Sequence, residues 1–323
     1  MATRIPFDES FWQEYLAGQE AQLPPLPDVE HVTERVVRIL GGNPGIMQLQ
    51  GTNTYLLGTG KSRILIDTGE GLPCWIDRLS QVLEDRRLEL SHILLTHWHG
   101  DHTGGVADII SYKPEISSRI YKNQPDRDQN PISDGQVFAV EGATVRAIFT
   151  PGHAIDHMCF LLEEENALFT GDNVLGHGFS VVMDLAVYMR SLEYMAAQSC
   201  AAGYPAHGAK IANLPAKMQE YIQHNEFRVE QVYSALSWNA RDGPKQGTGG
   251  MTLQEIIRSI YGEVPKEIVD NALAPFLTQV LWKLAEDRKV GFAPGEAKKR
   301  RWFGLGVLPR STSLAASVVS DSD

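Results

Sequence analysis

Hydrophobic and polar residues alternate in short runs from about residue 35, and this pattern predicts strands separated by turns. The segments TNTYLLGTG and SRILIDTG form a predicted hairpin around Gly58–Gly60, where glycine suits the turn. The next segment, CWIDRLSQVLEDRRL, has apolar residues at helical spacing: Trp75, Ile76, Leu79, Val82 and Leu83. Strand and helix patterns keep alternating to about residue 215, including a predicted helix over 103–112. The sequence therefore predicts an α/β layered domain.

The two ends of the chain have a different character. The N-terminal segment predicts a short amphipathic helix and a proline-rich connector, and the last residues predict a disordered tail. Between the α/β domain and the tail, helical patterns predominate, with one short hairpin expected near KVGFAPGEAKKRRWF. Thr252 and Glu255 have the spacing of a helix capping box. The predicted parts are 1–30, 31–215, 216–305 and 306–323.

The stretch THWHGDHTGG, residues 96–105, places three histidines and an aspartate within six positions. It follows the apolar run LSHILLTH, so we expect a buried strand with the cluster in the loop beyond it. A loop lets these side chains converge, whereas residues two apart on a helix point apart. Imidazole nitrogens with a carboxylate oxygen suit zinc, or manganese as the alternative. The cluster consists of His97, His99, Asp101 and His102.

Three further candidates follow apolar runs and lie beside glycines: His153 in FTPGHAIDH, Asp172 in LFTGDN and His207 in GYPAHG. A lone histidine beside glycine is more often a turn or core residue than a ligand, but here it accompanies the cluster. Seven donors exceed the needs of one tetrahedral ion and suit two ions that share a bridging carboxylate. Two ions roughly 3.5–4 Å apart can share a bound water, lower its pKa toward about 7 and polarise a carbonyl. The set therefore predicts a dimetal hydrolase.

Composition restricts the partners and the compartment. Lys plus Arg number 29 against 40 Asp plus Glu, a net charge of −11 that speaks against a dedicated nucleic-acid binder. The three widely spaced cysteines are typical of reduced thiols in an intracellular protein. No apolar window approaches the roughly 20 residues of a membrane span, and the N-terminus has no apolar run of a secretion signal. We expect a cytoplasmic enzyme that does not contact a membrane.

The motifs THWHGDHTGG, TPGH, FTGD and PAHG, in this order, resemble the metallo-β-lactamase superfamily. The resemblance implies a four-layer αβ/βα sandwich and a specific division of the metal ligands. One ion would be held by His97, His99 and His153, the other by Asp101, His102 and His207, with Asp172 bridging both. Class B β-lactamases usually have a cysteine where Asp172 stands, which disfavours antibiotic hydrolysis.

Five residues receive narrower roles. By the resemblance, Asp67 in LIDTGEG would orient a ligand histidine. Asp101 would also act in catalysis, by orienting a hydroxide or moving a proton. His157 is expected beside the ligands or in the core. Trp98 and His177 are candidates for the substrate pocket, with packing beneath the site and an ordinary loop position as their alternatives.

The C-terminal segments HNEFRVEQV and TLQEIIRSIYGEVP resemble the branch that adds a small helical, winged-helix-like module. This branch includes lactamase-like endoribonucleases of mitochondria and the thioesterases paired with fungal non-reducing polyketide synthases. The segments FDESFWQEYLAGQEAQLPPLPDVEHV and FGLGVLP are more similar to the thioesterases. The resemblance implies release of a polyketide from an acyl-carrier domain, by hydrolysis or by a Claisen-type ring closure.

Three alternatives remain open from the sequence. A single-strand-specific endoribonuclease shares the metal set, but the net charge of −11 disfavours a polyanionic substrate. A glyoxalase-type thioesterase would need a glutathione-binding signature, which we do not recognise. A non-catalytic scaffold stabilised by metal would be expected to have lost ligands. The basic run Lys298–Arg301 is a candidate dock for an acidic carrier protein.

Overall fold

The computed structural model describes residues 23–45, 47–241, 250–296 and 299–305. The predicted N-terminal helix and the predicted tail lie outside the described residues. The chain divides into two compact units, one formed by residues up to 228 with 263–268 and the other by 229–262 with the residues from 269. The predicted boundary at 216 falls at the start of the long helix Leu214–Arg241.

The first unit contains a seven-stranded sheet whose strands are ordered as in the sequence. Strands β1 to β4 are antiparallel, and β4 to β7 are parallel. The predicted hairpin around Gly58–Gly60 is confirmed, since β3 pairs with β4. The strands are β1 (Val29–His31), β2 (Val36–Leu40), β3 (Asn53–Leu57), β4 (Ser62–Ile66), β5 (Glu89–Leu94), β6 (Ile120–Lys122) and β7 (Asn130–Pro131).

A second sheet of five strands has the order β12-β11-β10-β9-β8. All its pairs are antiparallel except β11 with β12. Its strands are β8 (Val137–Val140), β9 (Ala143–Phe149), β10 (Met158–Leu162), β11 (Ala167–Gly171) and β12 (Ala202–Pro205).

Helices connect the strands and flank the sheets. They are α1 (Pro73–Asp85), α2 (Gly100–Thr103), α3 (Val106–Tyr112), α4 (Leu185–Ala197), α5 (Leu214–Arg241), α6 (Leu253–Tyr261), α7 (Lys266–Ile268) and α8 (Ala274–Glu286), with 3₁₀ turns at Pro114–Arg119 and Glu163–Glu165 and a π-helical turn at Val269–Leu273. Within the described residues, no helix is both long and apolar enough to cross a bilayer.

The side chains of the first sheet alternate between two cores because successive residues of a strand point to opposite faces. On β3, Tyr55 and Leu57 pack against the second sheet, whereas Leu56 joins a core that includes Trp75 of α1. On the far face of the second sheet, the Cys159 thiol lies 3.8 Å from the sulfur of Met195 in α4. The layers therefore run helix, sheet, sheet, helix, and the predicted αβ/βα sandwich is confirmed.

The helix predicted over 103–112 is instead two helices, α2 and α3, separated at Gly104 and Gly105. A Cβ at Gly105 would lie 2.1 Å from the carbonyl oxygen of Thr68, and one at Gly104 would lie 2.4 Å from that of Glu70. The chain comes too close to a neighbouring loop for any larger residue, and it changes direction there. The prediction was wrong because this close approach is a tertiary contact.

The second unit has its own small sheet, in the order β13-β15-β14, beside α6 and α8. The strands are β13 (Met251–Thr252), β14 (Val290–Phe292) and β15 (Arg301–Gly304). The predicted hairpin is present, since β14 and β15 are antiparallel. The capping box is also present: the Thr252 hydroxyl accepts from the backbone N–H of Glu255, whose carboxylate accepts from that of Thr252.

The basic run has partners within this unit. Arg301 binds Glu255 at 3.2 Å, and Lys299 binds Glu296 at 3.1 Å. Lys298 lies outside the described residues. The guanidinium of Arg300 stacks over three aromatic rings, those of Trp282, Phe292 and Trp302. Three of the four cations therefore already make intramolecular contacts.

Candidate metal centre

The seven predicted ligands all follow the carboxyl ends of strands. The cluster of residues 97–102 comes after β5, and His153 comes after β9. Asp172 directly follows β11, and His207 follows β12. Residues from both sheets thus meet at one edge of the sandwich, although they are separated by up to 110 positions in the sequence.

Four of these side chains form one group, in which the ligand atoms lie within 4.8 Å of one another: His97, His99, His153 and Asp172. The Nδ1 atom of His99 is at its centre, 2.8 Å from Nε2 of His97 and 3.1 Å from Nε2 of His153. The Nε2 atom of His153 lies 3.4 Å from Oδ2 of Asp172. This arrangement has three nitrogens and one oxygen directed inward.

The other three side chains, Asp101, His102 and His207, form a second group. The Nε2 atom of His207 lies 3.3 Å from Oδ2 of Asp101 and 3.2 Å from Oδ1 of Asp172. The Nε2 atom of His102 lies 3.5 Å from the same two oxygens. The two oxygens of Asp172 therefore face different groups, which is the placement that a bridging ligand requires.

The donor atoms fit divalent cations. Both Nε2 of His102 and Oδ1 of Asp172 are buried and have no hydrogen-bond partner among the described residues. A buried polar atom without a partner costs about 1–3 kcal/mol, so these atoms require a ligand of another kind. Five imidazoles and two carboxylates form a nitrogen and oxygen set that suits zinc and other first-row ions. The cluster could therefore bind metal ions.

Proteins of known sequence or structure resemble this chain. Residues 48–207 match the family model of the metallo-β-lactamase superfamily. The lactamase-like protein vrtG of Penicillium aethiopicum is 69% identical over 305 residues, which cover 94% of this chain and 99% of the relative. The chain belongs to the metallo-β-lactamase superfamily.

Other relatives agree with this assignment. The lactamase-like protein adaB of Aspergillus niger is 67% identical over 318 residues, covering 97% of this chain and 99% of the relative. A crystal structure of a β-lactamase domain protein from Burkholderia ambifaria aligns with a TM-score of 0.67 at 18% identity, over 88% of this chain and 98% of that one. A metallo-β-lactamase family protein from Thermus thermophilus gives 0.62 at 23% identity, over 85% and 100%. The two structures support the fold alone.

Asp67, the residue that the superfamily pattern assigns to orienting a histidine, lies beside His102. Its Oδ2 accepts from Nδ1 of His102 at 2.8 Å, so Nε2 is the nitrogen of His102 that faces the second group. The backbone N–H and the hydroxyl of Thr96 donate to the same carboxylate. Asp67 itself has a φ of 58°, a left-handed turn conformation that aspartate adopts more readily than most residues.

Two other ligands are oriented in the same way through Nδ1. The Thr96 hydroxyl donates to Asp67, so its oxygen can accept from Nδ1 of His97, 3.0 Å away. The Nδ1 atom of His153 lies 2.7 Å from the carbonyl oxygen of Val181, which can only accept. In both residues Nε2 is left with its lone pair directed at the first group.

His157 lies behind the site and belongs to neither group. Its Nε2 accepts from the backbone N–H of Asp172 at 3.1 Å, and its Nδ1 lies 3.1 Å from the Thr150 hydroxyl. The preceding Gly171 has a φ of 51°, and a Cβ there would lie 2.5 Å from Nε2 of His157. His157 and Gly171 together fix the backbone that carries the Asp172 carboxylate.

The two pocket candidates occupy different positions. Trp98 is 49% exposed, and its ring centroid lies 4.4 Å from that of His99, so it lies at the rim rather than beneath the site. The loop of His177 lies against His207, whose carbonyl accepts from the backbone N–H of Gly176 at 2.9 Å. The imidazole of His177 is in neither ligand group.

The five ligand histidines fall into two classes by the direction in which their pKa values are shifted. Burial and neighbouring imidazoles lower the pKa of His97, His99 and His153, so these side chains are neutral near pH 7. Burial also acts to lower the pKa of His207, but Asp172 and Asp101 outweigh it and raise this pKa to about 9. His102 behaves similarly, since Asp172 and Asp67 raise its pKa well above the ordinary value despite burial.

The carboxylates are ionised. Burial alone would raise the pKa of Asp101, but His207 and His102 lower it to about 2. Burial opposes ionisation of Asp172 as well, and His207 with His102 again outweighs it and holds the pKa well below the ordinary value. Two negative charges are therefore available to a cation at neutral pH.

Sequence reasoning missed several residues that support the site. Thr96 and Thr150 contact His97 and His157, and their adjacency to the histidine motifs was a usable signal. A buried ion pair between Lys122 and Asp156, 3.6 Å apart, had no such signal. Lys122 ends β6, beside the strand that leads into the metal loop, and Asp156 lies between His153 and His157.

Removal of the Lys122 charge tests the buried pair. The side chains of Lys122 and Asp156 are 3% and 1% exposed, so Lys122→Met leaves a carboxylate buried without a counterion. We expect a loss of about 3 kcal/mol in the free energy of unfolding in urea, most of it recovered in the double variant with Asp156→Leu. Lys61→Met, which breaks an exposed pair with Glu89, is the matched control and should cause no measurable loss. Equal effects of the two lysine variants would contradict this interpretation.

Zinc binding to the metal-free chain should release protons. The His207 pKa of about 9 keeps this side chain protonated at pH 7.5, and Asp172 and Asp67 favour the protonated form of the buried His102, so a cation must displace protons from this group. Calorimetric titration in two buffers of different ionisation enthalpy should give at least one proton released per chain. The release should diminish above the His207 pKa of about 9, because that proton is already lost. Binding without proton release at pH 7.5 would contradict the assigned ligands.

Proposed function

We propose that this protein is a zinc-dependent thioesterase that releases a polyketide from the acyl-carrier domain of a synthase. The observation that carries the proposal is the composition of the loops around the metal centre. Residues 96–105, 150–157, 172–184 and 205–208 contain no lysine or arginine. The loops around the carboxylate and imidazole ligands therefore contribute no cationic side chain to the opening of the site.

This composition separates the candidate reactions. A nuclease needs cationic side chains to hold the phosphates that flank the bond it cleaves, and the net charge of −11 gives no compensating field. A thioester with a neutral acyl chain needs no such partner. Its leaving group is a thiol, which is a far stronger acid than water, so the thiolate departs without a strong general acid. The resemblance to polyketide thioesterases supports the same choice.

The residues of the chain have distinct parts in this reaction. Divalent ions held by the two groups would act as Lewis acids toward the thioester carbonyl and would make water ionise near neutral pH. The carboxylate of Asp101 accepts a weak hydrogen bond from the Thr52 hydroxyl at 3.4 Å and keeps part of its surface exposed. Because it is ionised, Asp101 can accept a hydrogen bond from the attacking water and orient it.

Release of a carrier-bound substrate tests the proposal. The zinc-loaded protein is incubated with a carrier domain bearing an aromatic polyketide thioester, and the released product is identified by mass spectrometry. We expect a free acid or a cyclised product, at a rate that Asp172→Ala lowers at least about a hundredfold because both metal groups lose a ligand. Asp77→Ala, at an exposed position on α1, is the matched control and should retain full activity.

Two other outcomes would contradict the proposal. Cleavage of single-stranded RNA with comparable efficiency, and dependent on Asp172, would favour the endoribonuclease. The absence of both activities in a chain that binds zinc would favour the non-catalytic scaffold.

A further inference from the structure

Four large apolar side chains are exposed beside the metal centre: Trp98 at 49%, Ile155 at 66%, Val181 at 56% and Met183 at 54%. Exposed hydrophobic residues scattered singly need no explanation, but several at one opening mark a ligand site. Two of them are close to ligands in the sequence. Trp98 lies between His97 and His99, and Ile155 is two residues after His153.

Hydrogen bonds bring the other two to the same place. The backbone carbonyl of Val181 lies 2.7 Å from Nδ1 of His153, and the backbone N–H of Met183 donates to the carbonyl of Gly152 at 2.9 Å. Trp98 therefore lies next to His99, with ring centroids 4.4 Å apart, whereas Val181 and Met183 lie next to His153, whose ring centroid is 4.9 Å from that of His99. We call these four side chains the apolar rim.

The loop that carries Val181 and Met183 is held in place from helix α5. The hydroxyl of Tyr221 accepts from the backbone N–H of Leu175 at 3.0 Å and donates to the carbonyl of Gly178 at 2.9 Å. The ring of Phe179 stacks on that of His224 with centroids 3.8 Å apart. Because these contacts hold the loop in place, the loop loses less conformational entropy when the rim binds a ligand than a mobile loop would.

The side-chain types indicate the ligand. Tryptophan offers a flat apolar face for stacking on an aromatic ring, and methionine adapts to an irregular apolar surface. The absence of lysine and arginine from residues 96–105, 150–157 and 172–184 leaves an anionic acyl group without a partner there. A short acyl chain such as acetyl would cover little of the rim.

We propose that the apolar rim binds the acyl part of the substrate, and that this part is neutral and aromatic. The inference rests on the proposed function for the thioester, and it adds the class of acyl group and the residues that select it. In this proposal the acyl group contacts Trp98 beside His99 and the loop of Val181 and Met183 beside His153.

The test measures binding rather than turnover. The probe is the 2-naphthoyl ketone analogue of an N-acetylcysteamine thioester, in which a methylene replaces sulfur so that hydrolysis cannot occur. Its dissociation constant for the zinc-loaded protein is compared with that of the acetyl analogue. We expect Trp98→Ala to weaken naphthoyl binding about tenfold, and Val181→Ser and Met183→Ser several-fold, with little effect on the acetyl analogue. Zinc content should be unchanged in all three variants.

Val137→Ser is the matched control. Val137 is 52% exposed, close to the value for Val181, but it lies on β8 at the edge of the second sheet. It should bind the naphthoyl analogue like the unmodified protein. Equal binding by the rim variants and the unmodified protein, or tighter binding of a succinyl analogue, would overturn the inference.

The two proposals can fail separately. If naphthoyl binding depends on the rim but no thioester is hydrolysed, the rim inference stands and the thioesterase proposal fails. If aromatic thioesters are hydrolysed with a KM that the rim variants leave unchanged, the reaction stands and the rim inference fails.

Discussion

The structure depends on the cost of gathering seven titratable side chains in one largely buried place. Without a cation, buried atoms such as Nε2 of His102 and Oδ1 of Asp172 have no hydrogen-bond partner among the residues described. Burial of such groups is unfavourable, and so is the crowding of five imidazoles. The carboxylate of Asp172 lies between the two ligand groups and offers one oxygen to each. Cations at these positions would turn an unfavourable cluster into a stabilising one.

The rest of the fold positions the seven ligand side chains. Strand ends from two sheets bring the ligands to one edge, where loops can adopt the sharp turns that the ligands require. Behind the ligands, Asp67 and Thr96 orient two of the imidazoles, and His157 fixes the backbone of Asp172. The carboxylate of Asp67 can only accept, and the Thr96 hydroxyl already donates to it, so these two partners determine which ring nitrogen of His102 and His97 faces inward.

Sequence reasoning recovered the features that short motifs or periodicity encode. The hairpin around Gly58–Gly60, the helix of Trp75 and Leu79, and the strand before the metal loop follow from local patterns. The grouping of the seven donors came from a family resemblance, and the structure places them in those two groups. Spacing alone could not have given it, because His97 and His207 are 110 positions apart.

What sequence reasoning missed depends on contacts between distant segments. The break at Gly105 is caused by the backbone of Thr68, and His153 is oriented by the carbonyl of Val181, which any residue could supply. The pair of Lys122 and Asp156 likewise joins segments without a shared motif. Such contacts leave no periodicity, because only the folded chain brings the partners together.

The most direct test of the account is the metal content of the purified chain, measured by elemental mass spectrometry. The account predicts about two divalent ions per chain in the unmodified protein. It predicts the loss of at least one ion in Asp172→Ala with unchanged secondary structure by circular dichroism. A folded, unmodified chain that contains no metal, and whose hydrolytic activity survives treatment with a chelator, would contradict it.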